Sequence, residues 1–257
     1  EGARLGGNTA AGRSLSECEK HFDWPTLTHP NVDPSSTVKA LDALVEALGG
    51  AEHLIGVYIE AIQMANGRVL SDEAWEALCM WRDRTGVPLV LSEVASGFGR
   101  SGRGLWWLSG AKSEADLVLW WAGGQIGHIF SRPHVFVSKP LTLISTWDGD
   151  ELSATRILWQ LYATKTILSQ GVKSLSDQLD QTLRAVFPAH KIEGQGLYMT
   201  VKSTQASALH QSLQEKGVQV QLIGDHLCFA PPLTSTKVDF DFFKARLREA
   251  VASITMH

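Results

Sequence analysis

The chain has 257 residues, a formal net charge of −4 and a hydrophobic fraction of 44%, values typical of a globular protein. Its charges form no basic block, so we expect neither nucleic-acid binding nor attachment to a membrane surface. No apolar run is long enough to span a bilayer, and three scattered cysteines without a CxxC pair favour reduced thiols. We therefore expect an intracellular location, in the cytoplasm or the mitochondrial matrix.

Helical repeats alternate with short apolar runs up to about residue 170. Helices are predicted over residues 37–48, which end at two glycines, and over residues 71–85, which open with an N-cap serine. Strands are predicted over residues 53–59, 88–94 and 116–121. This alternation predicts a parallel sheet covered on both faces, which is a three-layer α/β fold.

The elements become shorter towards the end of the chain. Helices over residues 151–169 and 175–186 are followed by strands over 196–201, 218–222 and 226–229 and by helices over 206–216 and 239–254. We therefore predict two domains, a large α/β domain over residues 1–170 and a small α+β domain over residues 171–257.

Several patterns that often mark functional sites are unconvincing here. The GFGRSG segment (97–102) satisfies GxGxxG, but the residues after it do not open a helix that could bind a pyrophosphate. The nine histidines lack HxH or HxxxH spacing, so no metal site is expected. No GxSxG segment supports a hydrolase triad.

Five segments in order resemble class-III aminotransferases, which use pyridoxal phosphate. IEAIQMANG (59–67) and LVLSEVASGFGRSG (89–102) are similar to the usual family forms VEPVQGEGG and LIFDEVQTGFGRTG. The other three are DLVLWWAGG (116–124), STWDGDELSATRIL (145–158) and HLCFAPPLT (226–234). The FDWPTL of residues 22–27 and the STW of residues 145–147 are most similar to L-lysine 6-aminotransferases.

The resemblance implies a degenerate aminotransferase that is truncated at its N-terminus. Ala122 stands where the family has the lysine that forms a Schiff base with the cofactor, and a methyl group cannot form an imine. Ser92 stands where the family has an aspartate that keeps the pyridine nitrogen protonated. Ala230 stands where the family has an arginine that binds the substrate carboxylate. Met64 and Ala65 replace the Gly-Glu pair that carries a gating glutamate.

Other positions keep the family's residue types, namely Glu60, Gln63, Glu93 and Thr146. The resemblance implies that Gln63 contacts the phenolic oxygen of the cofactor and that Thr146 reaches the phosphate in the neighbouring subunit. Gln63, Ser92 and Thr146 are therefore candidates for vestigial cofactor contacts. The same residue types also stabilise loops, and that interpretation stays open.

These losses favour a catalytically inactive protein with a structural role, with no bound cofactor, in a homo-oligomer or larger complex. One alternative is an aminotransferase chain for lysine- or ornithine-like ω-amino donors that needs a partner chain to supply the lysine. Another is a module that binds pyridoxal or an amino acid without covalent chemistry.

A truncated sheet leaves an edge and a face uncovered, and such surfaces normally bind a partner. The pairs Trp106-Trp107 and Trp120-Trp121 are expected to fill vacated volume or face a partner, with a ligand platform as the alternative.

Overall fold

The first four strands form one mixed sheet. The structure, a computed structural model, describes residues 25–27, 29–31, 33–121, 127–140, 142 and 150–255. The strands are β1 (Val57–Glu60), β2 (Leu89–Ser92), β3 (Leu117–Trp120) and β4 (His128–Ser131), in the order β1-β2-β3-β4. The first three are parallel as predicted, and β4 pairs antiparallel with β3. Strand β4 was not predicted, and its antiparallel pairing with β3 makes the sheet mixed.

The start of β1 also differs from the prediction. Residues Ala51–His53 form a 3-10 turn, in which the Leu54 N–H donates to the Ala51 carbonyl at 3.0 Å. The strand begins only at Val57, where the backbone N–H donates to the Pro88 carbonyl at 2.9 Å. Local turn hydrogen bonds therefore shorten a strand that the apolar run alone places over residues 53–59.

Two helices beside this sheet end at the predicted glycines, and the second has the predicted serine N-cap, whereas the Asp33 N-cap of the first was not predicted. Helix α1 (Pro34–Leu48) begins after Asp33, whose side chain accepts from two backbone N–H groups, and it ends at Gly49. Helix α2 (Asp72–Thr85) begins after Ser71, whose hydroxyl accepts from the Ala74 N–H at 3.2 Å, and it ends at Gly86. Both terminal glycines are left-handed, a conformation that favours glycine.

The remaining helices and strands form an α+β arrangement, as predicted. They are α3 (Glu151–Gln170), α4 (Lys173–Val186), β5 (Ile192–Gln195), β6 (Tyr198–Lys202), α5 (Ala206–Glu215), β7 (Gln221–Ile223), β8 (His226–Phe229) and α6 (Lys237–Thr255). The sheet has the order β5-β6-β8-β7 and is antiparallel throughout. Strand β5 lies outside the predicted strands because its sequence, IEGQ, has no continuous apolar run.

Contacts between residues divide the chain into two compact units. The first contains the described residues up to Ala61 together with Leu70–Val94 and Gly110–Gln160. The second contains Ile62–Val69, Ala95–Ser109 and the described residues from Leu161 onward. The domain boundary near residue 170 stays a prediction. Among the described residues, no helix combines the length and apolar character that crossing a membrane requires.

Candidate functional site

Ser92 and Glu60 lie side by side where two neighbouring parallel strands end. Glu60 is the last residue of β1, Ser92 is the last residue of β2, and the two are partners in the sheet register. Both residues are buried, with 8% and 4% of their surfaces exposed. In open α/β sheets, ligands bind outside the carboxyl ends of the strands. Both residues therefore lie at the carboxyl ends of the strands, where a ligand is expected.

Tyr58 belongs to the same group of side chains, although the sequence reasoning missed it. Side chains alternate along a strand, so Tyr58 shares a sheet face with Glu60. The Tyr58 hydroxyl donates to Glu60 Oε1 at 3.5 Å, which is a long hydrogen bond. Burial raises the pKa of the Tyr58 phenol, the Glu60 charge raises this pKa further, and a hydrogen bond with the Ser92 side chain opposes the rise. We call Tyr58, Glu60 and Ser92 the strand-end cluster.

Backbone hydrogen bonds extend past the ends of both strands and fix this cluster. The Ala61 N–H donates to the Ser92 carbonyl at 3.1 Å, and the Glu93 N–H donates to the Leu119 carbonyl at 2.8 Å. Glu93 is fully buried. Because the backbone is paired on both sides of Ser92, the ends of β1 and β2 are held next to each other.

Gln63 lies in a tight loop, residues 62–69, within the second unit. The Gln63 N–H donates to the Arg68 carbonyl at 2.8 Å, and the Gly67 N–H donates to the Gln63 carbonyl at 2.7 Å. Both backbone polar groups of Gln63 are thus paired inside the loop, which fixes the backbone from which its side chain projects.

Strand β6 anchors the tight loop. The Tyr198 hydroxyl donates to the Met64 carbonyl at 2.7 Å, and the Thr200 hydroxyl donates to the Asn66 carbonyl at 2.7 Å. Gly67 has φ +76°, and a Cβ atom at this position would lie 2.6 Å from Thr200 Oγ1. Only glycine combines that backbone conformation with so close an approach.

The GFGRSG segment contacts backbone carbonyls through Arg100. Its Nη1 donates to the carbonyls of Leu197 and Pro231, each at 3.0 Å. Burial lowers the pKa of the Arg100 guanidinium. Phe98 in the same segment has φ +56°, a left-handed conformation that is uncommon for a residue other than glycine. The motif thus forms a structured loop whose arginine binds the protein's own backbone.

Ala230 is exposed and lines a cavity of about 260 Å³ in the second unit. Its walls include Phe229, Pro231 and Phe240. Asp239 is the one charged residue among the described residues that line this cavity. A carboxylate ligand would be repelled by this charge, so the cavity does not replace the arginine that the family resemblance places at Ala230.

The structure brings only some of the predicted site residues together. Ser92 and Glu60 share the strand-end cluster, whereas Gln63 and Ala230 belong to the second unit and lie in different elements. Ala122 and Thr146 fall outside the described residues, so their assigned roles stay predictions. Tyr58 could have been found from the alternation of VYIE, which places it and Glu60 on one face of a strand.

Comparison with known protein families identifies the class to which this chain belongs. The family described as Aminotransferase class-III matches residues 21–251, and the chain belongs to that family. The expected family resemblance and the α/β aminotransferase fold with a small α+β part are therefore confirmed.

Individual relatives are transaminases. The chain is 28% identical to an acetylornithine aminotransferase from Nostoc sp. over 99% of this chain and 63% of that protein. It is similar to the structure of a lysine aminotransferase from M. tuberculosis, with 25% identity, a TM-score of 0.76, and coverage of 93% of this chain and 61% of the other. An (S)-enantioselective omega-transaminase from Thermomicrobium roseum shares the fold at 19% identity and TM-score 0.80, covering 93% of this chain and 62% of that one. The chain thus spans less than two thirds of the proteins that it matches.

Two predictions made from the sequence are wrong, namely that the chain is not an enzyme and that it binds no cofactor. Membership of a family of pyridoxal-phosphate enzymes, with aminotransferases as relatives, contradicts both. The physical error was to infer the state of a whole site from single positions such as Ala122. A chain that spans only part of its relatives need not contain every group of the site.

The described residues fit the pyridine ring of pyridoxal phosphate. The ring nitrogen needs one hydrogen-bonding group in a buried setting, and Ser92 supplies a hydroxyl that is 4% exposed. Glu60 adds a carboxylate on the same sheet face, of the charge that favours a protonated ring nitrogen. The donor set of the strand-end cluster is therefore chemically suited to this end of the cofactor.

Proposed function

We propose that this chain forms part of the active site of a pyridoxal-phosphate-dependent aminotransferase that takes ω-amino donors of the lysine or ornithine type. The observation that carries the proposal is the burial of Ser92 beside Glu60 at the carboxyl ends of β1 and β2. The printed names of two relatives, an acetylornithine aminotransferase and a lysine aminotransferase, support the substrate class.

The chain's own residues would bind and orient the cofactor. Ser92 would hydrogen-bond the ring nitrogen, because it stands at the position that the family resemblance assigns to this contact. Bound pyridoxal phosphate supplies the electron sink that transamination requires. Because Ser92 and Glu60 are buried, a ring nitrogen bound beside them would be shielded from water, and its hydrogen bonds would be stronger for that reason.

A partner chain is part of the proposal, because Ala122 stands at the position of the family's lysine. We propose that the partner supplies the lysine. Helix α3 presents large apolar side chains that are exposed in this chain: Leu152, Leu158, Trp159 and Tyr162. Among the residues that the structure describes, strand β1 is an edge strand of its sheet. Exposed apolar groups and open strand edges are features of surfaces that bind other proteins.

The experiment combines cofactor binding with a search for the lysine. The purified chain is titrated with pyridoxal phosphate, reduced with borohydride and analysed by mass spectrometry for a modified lysine. We expect saturable binding without a specific modified lysine in the chain alone. In the variant Ala122→Lys, we expect cofactor attached to the new lysine after reduction.

A matched control is Ala163→Lys, which adds a lysine at an exposed position of α3. This lysine should remain unmodified under the same conditions. Amino transfer from lysine or ornithine to a 2-oxo acid is then measured for each protein. Absence of saturable binding by the unaltered chain and by the Ala122→Lys variant would contradict the proposed function.

A further inference from the structure

The cavity beside Ala230 is large enough for a small organic ligand, and its walls are mainly apolar. Its volume is about 260 Å³. An enclosed apolar cavity of about 150 Å³ already binds benzene, so this one can hold a phenyl ring with a short chain. Phe229 and Phe240 in its walls are buried, whereas Ala230 and Asp239 also line it and are exposed. The cavity therefore combines a buried aromatic wall with access from solvent.

Backbone carbonyls in these walls are already paired within the protein. The Val220 carbonyl is hydrogen-bonded with His210 Nε2 at 3.1 Å. The Pro231 carbonyl accepts from Arg100 Nη1 at 3.0 Å. At these points the walls offer a ligand apolar contact rather than an unpaired polar group.

Asp239 gives the cavity a negative charge with one oxygen to spare. The Thr236 N–H and the Thr236 hydroxyl both donate to Asp239 Oδ2, each at 2.7 Å. These bonds lower the pKa of the Asp239 carboxyl, so it is ionised at neutral pH. In the part of the chain that the structure describes, no donor bonds Oδ1, and no basic side chain pairs with this carboxylate. Oδ1 is therefore available to a donor on a ligand.

A positive charge beside the cavity is balanced within α6. The guanidinium carbon of Arg246 lies 5.1 Å from the centroid of the Phe242 ring, which lines the cavity. Arg246 Nη1 is also 2.9 Å from Glu249 Oε2, which compensates its charge. Asp239 therefore determines which ligands the cavity attracts, namely cations. Aromatic walls add to this preference, because the face of a phenyl ring attracts a cation.

We propose that this cavity binds an apolar primary amine as its ammonium ion, with the ammonium group at Asp239 Oδ1 and the apolar body against Phe229 and Phe240. An ammonium group has only protons to donate, which suits an oxygen that only accepts. A ligand that also carries a carboxylate is disfavoured, because the described lining residues include no cation to pair with it. All residues of the site belong to the second unit, and none is a group that the proposed function assigns to the cofactor.

The test compares three probes that share a phenyl ring and differ in charge. The full chain is titrated at pH 7 with 2-phenylethylamine, with the neutral 2-phenylethanol and with the anionic 3-phenylpropanoate, and binding is followed by ligand-observed NMR. We expect the amine to bind about three- to tenfold more tightly than the alcohol, as a charge-assisted hydrogen bond at an exposed carboxylate predicts. The propanoate should bind more weakly than the alcohol.

Three variants separate the charge from the cavity. Asp239→Asn keeps the size of the side chain and an oxygen for Thr236, so it should lower amine affinity to that of the alcohol and leave alcohol binding unchanged. Asp241→Asn is the matched control, since this exposed carboxylate of α6 does not line the cavity, and both affinities should stay the same. Ala230→Phe fills the cavity from an exposed position and should abolish binding of both probes.

The outcomes decide the proposal even if one variant fails to fold. Circular dichroism melts and retained alcohol binding show that Asp239→Asn is intact, and Ala230→Phe is a second test if it is not. Equal affinities of the amine and the alcohol for the unaltered chain overturn the proposal, and so does the absence of amine binding. Unchanged amine affinity in folded Asp239→Asn or Ala230→Phe overturns it as well. None of these results bears on the proposed function, because no probe contains pyridoxal phosphate.

Discussion

Substitution of Gly67 by alanine should destabilise the chain far more than the same change at a glycine of identical backbone conformation. Gly67 and Gly217 both have φ +76°. A Cβ atom at Gly67 would lie 2.6 Å from Thr200 Oγ1 and 2.7 Å from the Glu193 carbonyl oxygen, whereas a Cβ atom at Gly217 meets nothing within 4 Å. The pair therefore separates steric contact from backbone strain.

The expected magnitudes follow from these contacts. Alanine in a left-handed conformation costs about 1 to 2 kcal/mol, which is the whole effect at Gly217. At Gly67, the Glu193 oxygen is backbone and is fixed by the pairing of Glu193 with Thr200 between β5 and β6. Rotation of Thr200 would break its 2.7 Å hydrogen bond to Asn66. Overpacking adds about 1 to 3 kcal/mol, so Gly67→Ala should lose roughly 2 to 5 kcal/mol in total.

The assay is urea denaturation followed by far-ultraviolet circular dichroism, with the free energy of unfolding extrapolated to water. Hydrogen exchange of the Gly67 and Gln63 amides gives a local measurement of the tight loop. Equal decreases in the free energy of unfolding in Gly67→Ala and Gly217→Ala would contradict this prediction. The close approach of Gly67 to β5 and β6 would then contribute nothing to the destabilisation.

Four other substitutions or reactions test single contacts. Ser71→Ala removes the N-cap of α2 and should lower the free energy of unfolding by about 1 kcal/mol, and an unchanged value would contradict the cap. Tyr198→Phe removes the hydroxyl that anchors the tight loop and should cost about 1 to 2 kcal/mol, with faster hydrogen exchange in that loop. Burial raises the pKa of Cys79 to about 11, so this thiol should resist thiol reagents until the protein is denatured. Hydrogen bonding from Arg84 lowers the pKa of Asp42, so the stability from this carboxylate should be present above about pH 4 and be lost as the pH falls through the lower folded pKa. The variant Asp42→Asn should abolish that acid-dependent change.

Local signals predicted much of the fold. Helix α2 followed from Ser71 at one end and Gly86 at the other, and both caps are present in the structure. Strands β2 and β3 followed from continuous apolar runs, which are typical of buried parallel strands. These features depend on residues close in sequence, so periodicity and capping rules suffice to find them.

Features that depend on distant residues were not predictable. Tyr58 joins Ser92 only through the register of β1 with β2, and a sequence does not state which strands are neighbours. The requirement for glycine at position 67 arises from Thr200, more than a hundred residues away. The polar strand β5 lacks the apolar pattern on which a prediction relies. In each case the missing information is tertiary.

The chain passes between its two compact units five times, at Ala61, Val69, Val94, Ser109 and Gln160. No single peptide bond therefore separates them. A protease that cuts once within α3 would leave the segments 62–69 and 95–109 on the N-terminal fragment, while the strands that hold them remain on the C-terminal one. Such nicked fragments should stay associated until denaturant is added. A chimera of two relatives made by one crossover within α3 would take Arg100 and Met64 from one parent and their contact partners Leu197 and Tyr198 from the other.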